Sequence, residues 1–202
     1  MTSYRDHAAV LFADVCGFTE MSEKRSPETI ISLLNAYFDA MVAIIKANGG
    51  HIDKFIGDAI MAVFYGKTPA ENALNAAASG LGMIRILKAT NAKKADVEEH
   101  VHIRIGINSG EVIFGDLGSK AFRRDFTVIG DTVNTAQRLE SNAPKDHVLI
   151  SDSTYQLAKD RIQIQRSDTL KLKGKKVEIV CHILGDIISG EKLATGLPKD
   201  PT

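Results

Sequence analysis

The stretch 11–19 reads Leu-Phe-Ala-Asp-Val-Cys-Gly-Phe-Thr, and the rest of the chain is interpreted from it. An apolar strand over about 8–13 ends at the carboxylate of Asp14, and the chain then turns through a glycine. A second carboxylate, Asp58, follows another apolar segment and another glycine. Two carboxylates at the ends of neighbouring strands can share one divalent cation or a pair of them, and such oxygen-rich sites suit Mg²⁺ or Mn²⁺ bound to phosphates. The sequence therefore predicts a two-metal site for phosphoryl transfer.

The composition is that of a single soluble domain. Its 202 residues suffice for one full core, and 44% of them are hydrophobic. The 25 basic and 25 acidic residues cancel, which argues against nucleic acid or an anionic membrane as a partner. No apolar run is expected to span a bilayer, and Cys16 and Cys181 form neither a disulfide framework nor a metal-ligand spacing. We therefore expect a cytoplasmic protein with no membrane segment.

Two long helices are predicted from their start signals. Ser26 can cap a helix whose first residue is Pro27, and the glycines at 49–50 end it. Pro69 opens a second, alanine-rich helix, and a third begins near Asp131, which we interpret as its N-cap. The first helix has apolar residues at helical spacing along one face: Ile30, Ile31, Leu34, Tyr37, Phe38, Met41, Val42 and Ile45.

Two hairpins are predicted in the first two thirds of the chain. Short apolar runs over 51–55 and 59–65 flank a glycine-containing turn. An alternating strand over 101–107 and another over 111–114 are separated by Asn-Ser-Gly at 108–110, which is also typical of a hairpin.

The remaining strands complete one domain. They are predicted near 148–150, 163–172 and 177–183. We assign 1–185 to the domain and 186–202, which has no periodicity, to a disordered tail. Strands that alternate with two long helices predict an α/β (α+β) sandwich whose mostly antiparallel sheet is covered on one face.

Five strings of residues, in order along the chain, together resemble a known family. They are FADVCGFT at 12–19, KFIGD at 54–58, RIGINSG at 104–110, FTVIGDTVN at 126–134 with Arg138 after it, and LKG at 172–174. They are similar to the catalytic domain of class III nucleotidyl cyclases, the adenylyl and guanylyl cyclases, over roughly 8–183. One such string is weak, whereas five in register are specific.

The resemblance implies a fold and a reaction. The fold is a ferredoxin-like βαββαβ core with a C-terminal strand extension. The reaction converts ATP, or GTP in the guanylyl branch, into the 3′,5′-cyclic monophosphate and pyrophosphate by attack of the ribose 3′-oxygen on the α-phosphorus. Two metals about 3.5–4 Å apart, Mg²⁺ or Mn²⁺, lower the pKa of the attacking hydroxyl and neutralise the leaving group.

Asp14 and Asp58 match the family's metal ligands, together with the carbonyl of Val15. A lone aspartate at a strand end usually caps a turn, but two inside matching motifs favour metal binding. The backbone N–H groups that would hold phosphate lie where the chain opens toward a helix, at Cys16, Gly17, Phe18 and Thr19.

Lys54 and Thr127 match the positions that read the base. Lysine donates to adenine N1, whereas guanylyl cyclases typically carry glutamate there. At Thr127 the sequence departs from the aspartate of many adenylyl cyclases, and a hydroxyl that both donates and accepts predicts weaker discrimination against GTP. This Lys/Thr pair resembles the subgroup that includes bicarbonate-responsive members. Asp53, Asp116 and Asp125 are interpreted as turn or surface acids.

Four further residues match positions that contact the ribose or the phosphates. Asn134 and Arg138 lie four apart on one helix face, where the asparagine orients the ribose and the arginine stabilises charge at the α-phosphate. Arg104 and Lys173 match contacts to the β- and γ-phosphates, although Lys173 lies among other lysines that are candidates for solvated charges.

The resemblance also implies a head-to-tail homodimer with two active sites. One subunit supplies Asp14, Asp58 and Arg104, and the other supplies Lys54, Thr127, Asn134, Arg138 and Lys173. Because this chain carries both sets, a symmetric dimer completes two equivalent sites.

Three alternatives to an adenylyl cyclase stay open: a guanylyl cyclase, a catalytically inactive cyclase-like dimerisation or regulatory module, and a nucleotide sensor without turnover. Diguanylate cyclases are disfavoured because their Gly-Gly-(Asp/Glu)-Glu-Phe signature is missing. An origin as the excised catalytic domain of a larger regulated protein also stays open.

Overall fold

The computed structural model describes residues 3–119, 121–171 and 178–188. Strands and helices alternate along them, with a short 3₁₀ turn (Val97–Glu99) before the fourth strand. The elements are β1 (Tyr4–Val15), α1 (Phe18–Glu23), α2 (Pro27–Ala47), β2 (His51–Ile56), β3 (Ala59–Phe64), α3 (Pro69–Asn91), β4 (Ile103–Gly118), β5 (Arg124–Ile129), α4 (Asp131–Asn142), β6 (Val148–Ser151), α5 (Asp152–Ala158), β7 (Ile162–Leu170) and β8 (Ile179–Ile187).

The strands form one sheet in the order β2-β3-β1-β4-β6-β8-β7, and β5 pairs with the far end of β4. Strands β4 and β6 run parallel, and the other described pairs are antiparallel. With α2 between β1 and β2 and α3 between β3 and β4, the first four sheet positions form a ferredoxin-like βαββαβ unit. Strands β6, β8 and β7 extend it. The predicted fold class is confirmed.

Strand β1 is central because both of its faces are buried. Residues 8–13 are at most 4% exposed. Side chains alternate along a strand, so Leu11 packs with residues of α2 and α3, whereas Phe12 packs in a second cluster that contains Ala136 of α4. The expectation that helices cover only one face is therefore wrong, since α4 lies on the other. A continuous apolar run, rather than an alternating one, is typical of a strand buried on both faces.

Helices α2 and α3 begin where their capping residues predict. The Ser26 hydroxyl accepts a hydrogen bond from the Thr29 N–H at 3.3 Å. At the start of α3, the Thr68 hydroxyl accepts from the Glu71 N–H, and the Glu71 carboxylate accepts from the Thr68 N–H, both at 3.2 Å. This reciprocal pair is a capping box.

Helix α2 is also long and apolar enough to cross a membrane by length and composition, contrary to the expectation that no segment would be. A core helix of a soluble protein passes the same test. Here Met41 and Ile45 are fully buried and belong to the main core cluster, so this face of α2 covers the sheet.

Strand β4 corrects the second predicted hairpin. The chain does not turn at 108–110 but runs straight from Ile103 to Gly118. The Asn108 amide donates to the Thr132 carbonyl oxygen at 3.0 Å, and its oxygen accepts from the Ser153 hydroxyl at 3.0 Å. Because these partners satisfy a polar residue inside the sheet, no exposed turn is needed there. The β-hairpin instead joins β4 to β5, a strand that the sequence analysis did not predict.

Helix α4 lies against β4 at a glycine. A Cβ atom at Gly106 would lie 2.0 Å from the Glu140 nitrogen and 2.4 Å from the Ala136 carbonyl oxygen, both backbone atoms. Only glycine permits this approach. Asp131 is the first residue of α4 and Gly130 occupies the N-cap position, so the assignment of Asp131 as the cap is wrong.

The C-terminal strands β7 and β8 lie close to their predicted positions. Strand β8 runs to Ile187, so the first residues assigned to the tail belong to the sheet. The string at 172–174, with the predicted phosphate contact Lys173, and residues 189–202 lie outside the described residues.

Candidate active site

The carboxylates of Asp14 and Asp58 meet at the tips of adjacent strands. Strand β1 pairs with β3 in a register that places Ala13 opposite Ile60, so Asp14 lies beside the turn that carries Asp58. The Asp58 carboxylate lies close enough to Asp14 for the two side chains to affect each other's ionisation. Burial, then the charge of Asp14, raises the pKa of Asp58. The two predicted metal ligands are therefore adjacent.

Arg104 lies between two carboxylates. It is the cross-strand partner of Asp14 in the β1–β4 pair, and its Nη2 lies 2.8 Å from Asp14 Oδ2. Its Nε donates to Glu140 Oε1 at 2.6 Å. Although burial lowers the pKa of Arg104, the hydrogen bonds and charges of these two acids raise it above its usual value. In the free chain, the predicted phosphate contact is therefore paired with two carboxylates, Asp14 and Glu140.

Glu140 is a site residue that the sequence analysis missed. Its side chain is 8% exposed, and burial, followed by the charge of Asp14, raises its pKa against the opposing effect of Arg104. The signal that could have found it is its spacing, because Thr132, Ala136 and Glu140 recur every four residues on the buried side of α4. We call Asp14, Asp58, Arg104 and Glu140 the acidic cluster.

The predicted phosphate-binding segment is partly engaged in the fold. Gly17 has φ 73° and serves as the N-cap of α1, a left-handed conformation that favours glycine. The Cys16 N–H donates to the His102 carbonyl oxygen at 2.8 Å. The prediction for this segment therefore depends on the N–H groups of Gly17, Phe18 and Thr19, where the first turn of α1 has no intrahelical acceptors for them.

Lys54 and Thr127 meet at Asp53, although they lie on different strands. The Thr127 hydroxyl donates to Asp53 Oδ2 at 2.8 Å, and Lys54 Nζ lies 3.2 Å from the same oxygen. The interpretation of Asp53 as a turn or surface acid is wrong, because it lies within β2 and its side chain is only 6% exposed. We call Asp53, Lys54 and Thr127 the base cluster.

Asn134 and Arg138 are on α4, with Asn134 exposed and Arg138 half-buried. Neither side chain makes a hydrogen bond or ion pair with the part of the chain that the structure describes. Within those same residues, no side-chain hydrogen bond or ion pair joins the acidic cluster to the base cluster. One chain therefore presents two separate groups of predicted site residues, and two uncommitted side chains on α4.

The comparisons with known proteins agree on one family. The model described as the adenylate and guanylate cyclase catalytic domain matches residues 2–186. Adenylate cyclase 1 of Rhizobium meliloti (strain 1021) is 32% identical over 182 residues, which cover 88% of this chain and 27% of that enzyme. This chain spans less than half the length of the curated relatives that it matches first.

Two solved structures match equally well. The crystal structure of the guanylyl cyclase Cya2 has a TM-score of 0.86 at 33% identity, covering 94% of this chain and 97% of that one. The adenylyl cyclase CyaB from P. aeruginosa has a TM-score of 0.86 at 34% identity, covering 92% of this chain and 97% of that one. Overall similarity therefore does not separate ATP from GTP as the substrate, and individual side chains must do so.

Proposed function

Since the chain belongs to the adenylate and guanylate cyclase catalytic domain family, we propose that it is an adenylyl cyclase that converts ATP into 3′,5′-cyclic AMP and pyrophosphate. The observation that carries the reaction is the adjacency of Asp14 and Asp58 at the strand tips. The choice of ATP depends on Lys54, whose ammonium suits the acceptor N1 of adenine. A substrate of this kind places the reaction in the cytoplasm.

The carboxylates of Asp14 and Asp58 suit Mg²⁺ or Mn²⁺, and burial with like charge already disfavours the ionised form of Asp58. Within the described residues no three His, Cys, Asp or Glu side chains form a complete metal site, so the substrate phosphates would supply the other oxygen ligands. Hard oxygen ligands with excess negative charge are what these cations prefer. Asp14, Asp58 and the Val15 carbonyl would hold them. Bound there, the cations would acidify the ribose 3′-hydroxyl and neutralise charge on the pyrophosphate.

The remaining residues position the substrate. Arg138 stabilises the charge that develops at the α-phosphate, and Asn134 orients the ribose so that its 3′-oxygen is in line for attack. The N–H groups of 17–19, Arg104 and Lys173 bind the phosphates. No side chain is required as a general base, because cations held by Asp14 and Asp58 would lower the pKa of the attacking hydroxyl. Arg104 exchanges part of its contact with Asp14 for phosphate when the nucleotide binds.

Two copies of the chain complete each site. Because no side-chain hydrogen bond or ion pair joins the two clusters within the described residues, we propose that the nucleotide lies between two subunits and contacts one cluster from each. Large apolar side chains on β2 and on the β4–β5 hairpin remain 45–55% exposed next to Lys54 and Thr127: Phe55, Ile56, Leu117, Phe126 and Ile129. Apolar surface of this kind marks an interface, and a two-fold axis would place the acidic cluster of one copy opposite the base cluster of the other.

Complementation tests the reaction and the division of roles together. Asp58→Ala and Asn134→Ala homodimers should each be inactive, because both of their sites lack one group. In an equimolar mixture, half of the dimers are mixed and each has one intact site, so about a quarter of the native activity should return. A mixture that stays inactive while the native chain releases cyclic AMP contradicts the shared site. Native chain that releases no pyrophosphate from ATP and Mn²⁺ contradicts the enzyme itself.

A guanylyl cyclase is the second candidate, since Cya2 matches this chain as well as CyaB does. The yields of cyclic AMP and cyclic GMP under Mn²⁺ separate the two. The inactive-module and sensor alternatives are disfavoured because Asp14, Asp58, Asn134 and Arg138 are all present. The Lys54/Thr127 pair resembles a subgroup that includes bicarbonate-responsive members, so a bicarbonate response is carried as part of this proposal.

A further inference from the structure

Asp53 lies at an irregularity in the pairing of β2 with β3. Ile52 pairs with Ala62 and Lys54 pairs with Met61, so Asp53 has no partner of its own and two residues of β2 lie opposite one step of β3. A bulge of this kind changes the direction of a side chain relative to a regular strand. Neighbouring residues of a regular strand face opposite sides, yet here the Asp53 carboxylate contacts the Lys54 ammonium.

The same carboxylate oxygen serves both base-reading residues. Asp53 Oδ2 accepts from Thr127 at 2.8 Å and lies 3.2 Å from Lys54 Nζ. Lys54 remains 40% exposed, whereas Thr127 is 3% exposed. The pair therefore presents an exposed donor and a recessed hydroxyl whose hydrogen is already donated. With its hydrogen committed, the hydroxyl oxygen can only accept further hydrogen bonds.

We propose that Asp53 is a positioning residue for base selection: it holds Thr127 as an acceptor and thereby favours adenine over guanine. The inference rests on the proposed function, in which Lys54 and Thr127 read the base. It reverses the sequence-based expectation that a threonine here relaxes the discrimination, because that expectation assumed a hydroxyl free to donate.

The chemistry of the two bases makes the distinction. Adenine carries a donor amino group at C6, whereas guanine carries the acceptor O6 at the same place. An acceptor-only oxygen at Thr127 can accept a hydrogen bond from the adenine amino group. Guanine O6 is itself an acceptor, so neither oxygen can donate a hydrogen to the other. A buried polar group that meets the wrong partner loses its hydrogen bond, which is how sites discriminate strongly between similar substrates.

Replacing Asp53 with alanine should release the threonine hydrogen. Asp53→Asn is the conservative control, because its amide oxygen can still accept from Thr127 and Lys54 and should keep most of the preference for ATP. Asp53→Ala lets the hydroxyl rotate. In Asp53→Ala the ratio of kcat/KM for ATP to that for GTP should fall ~10-fold, mainly because GTP improves. Asp168→Asn, which removes a carboxylate from an exposed ion pair with Arg166 on β7, should leave the ratio unchanged.

A second set of variants shows that Asp53 acts through Thr127. Thr127→Ser keeps the hydroxyl and should keep the ratio, whereas Thr127→Val should lower it. In the Thr127→Val background, Asp53→Ala should change the ratio by less than ~2-fold. A full effect of Asp53→Ala in that background would mean that the residue acts by another route, and would overturn the inference. Because Thr127→Ser and Thr127→Val leave Asp53 in place, they test the acceptor role even where an Asp53 variant folds poorly.

Binding of nucleotides that cannot cyclise separates the inference from the proposed function. 3′-deoxy-ATP and 3′-deoxy-GTP lack the attacking hydroxyl, so the ratio of their dissociation constants reports base selection without turnover. If the native chain makes cyclic AMP and the Asp53→Ala variant keeps its preference, the inference is wrong and the function stands. If the native chain prefers 3′-deoxy-ATP but cyclises nothing, the function is wrong, and the same ratio in the variants decides the inference. Equal binding of both analogues by the native chain overturns the inference.

Discussion

The acidic cluster and the base cluster are both built around buried carboxylates, but their charges are balanced differently. Asp53 has two donors on one oxygen, Thr127 and Lys54. In the acidic cluster, by contrast, burial and then the like charge of Asp14 raise the pKa of Asp58. A group that selects a base must hold its hydrogen bonds before the ligand arrives, whereas a group that binds a cation must be left with charge to neutralise.

The largest expected effect on activity comes from the acidic cluster and is the same for both nucleotide bases. Asp14→Asn removes a ligand charge and should lower kcat/KM by ~10³-fold or more for ATP and GTP alike, because the metal ions act on the ribose and phosphates that both nucleotides share. Steady-state rates with each nucleotide under Mn²⁺ measure this. A loss with one nucleotide alone would show that the two clusters do not divide the work as proposed.

A change in the base cluster should be smaller and selective. Lys54→Met removes the donor to adenine N1 while keeping the length of the side chain, so kcat/KM for ATP should fall ~10–100-fold and that for GTP should change less. Lys88→Met on the exposed side of α3 is the matched control, and both variants should melt close to the native chain. Equal losses with both nucleotides would place Lys54 outside the base site.

Gly106 tests how α4 reaches the acidic cluster. Gly106→Ala puts a methyl group against the backbone at Glu140 and Ala136, so α4 must move, at a cost of about 1–3 kcal/mol in the free energy of unfolding. Glu140, Asn134 and Arg138 move with the helix, and activity should fall with both nucleotides. Denaturant unfolding measures the stability. Gly49→Ala is the comparison for a position with φ 74° but open space around it, where only backbone strain is expected.

The smallest expected effect is a gain in the stability of the folded chain. Because the folded pKa of Asp58 is raised from its usual 3.8, its contribution to stability is present below the unfolded pKa and is lost as pH rises through the folded pKa. Asp58→Asn should therefore stabilise the metal-free chain at neutral pH by less than about 1 kcal/mol, since the site is partly exposed, and should change little below pH ~4. Thermal melts in EDTA measure this.

Addition of Mn²⁺ should make the native chain more stable than the Asp58→Asn chain. The native chain gains stability in proportion to its occupancy, while the Asp58→Asn chain gains less. If Mn²⁺ stabilised both chains equally, Asp58 would not be a metal ligand. The acidic cluster would then not differ from the base cluster in the way proposed.

Local signals were enough for much of the fold. Ser26 and Thr68 cap helices whose partners lie three residues away, and the buried run before Asp14 reads as a central strand without any distant information. The failures involve distant partners. The Asn108 amide is satisfied by Thr132 and Ser153, so a string that is typical of a turn remained a straight strand.

The residues of the candidate site also fall into two groups, those that sequence motifs identify and those that only the structure identifies. The sequence motifs identified Asp14, Asp58, Lys54 and Thr127, because each lies in a string with a recognisable order. They did not identify Asp53 or Glu140 as members of the site, because nothing near Asp53 in sequence indicates a hydroxyl 74 residues away and nothing near Glu140 indicates a guanidinium 36 residues away.

The sequence by itself therefore determined most of the helices and strands, the family and the candidate ligands, since these depend on periodicity, capping and short motifs. The tertiary structure alone decided which carboxylates are buried next to another negative charge and which accept hydrogen bonds from nearby donors. A buried charge is stabilised or destabilised by the groups packed around it. Only the tertiary fold brings Thr127 of β5 to Asp53 of β2, and Glu140 of α4 to Arg104 of β4.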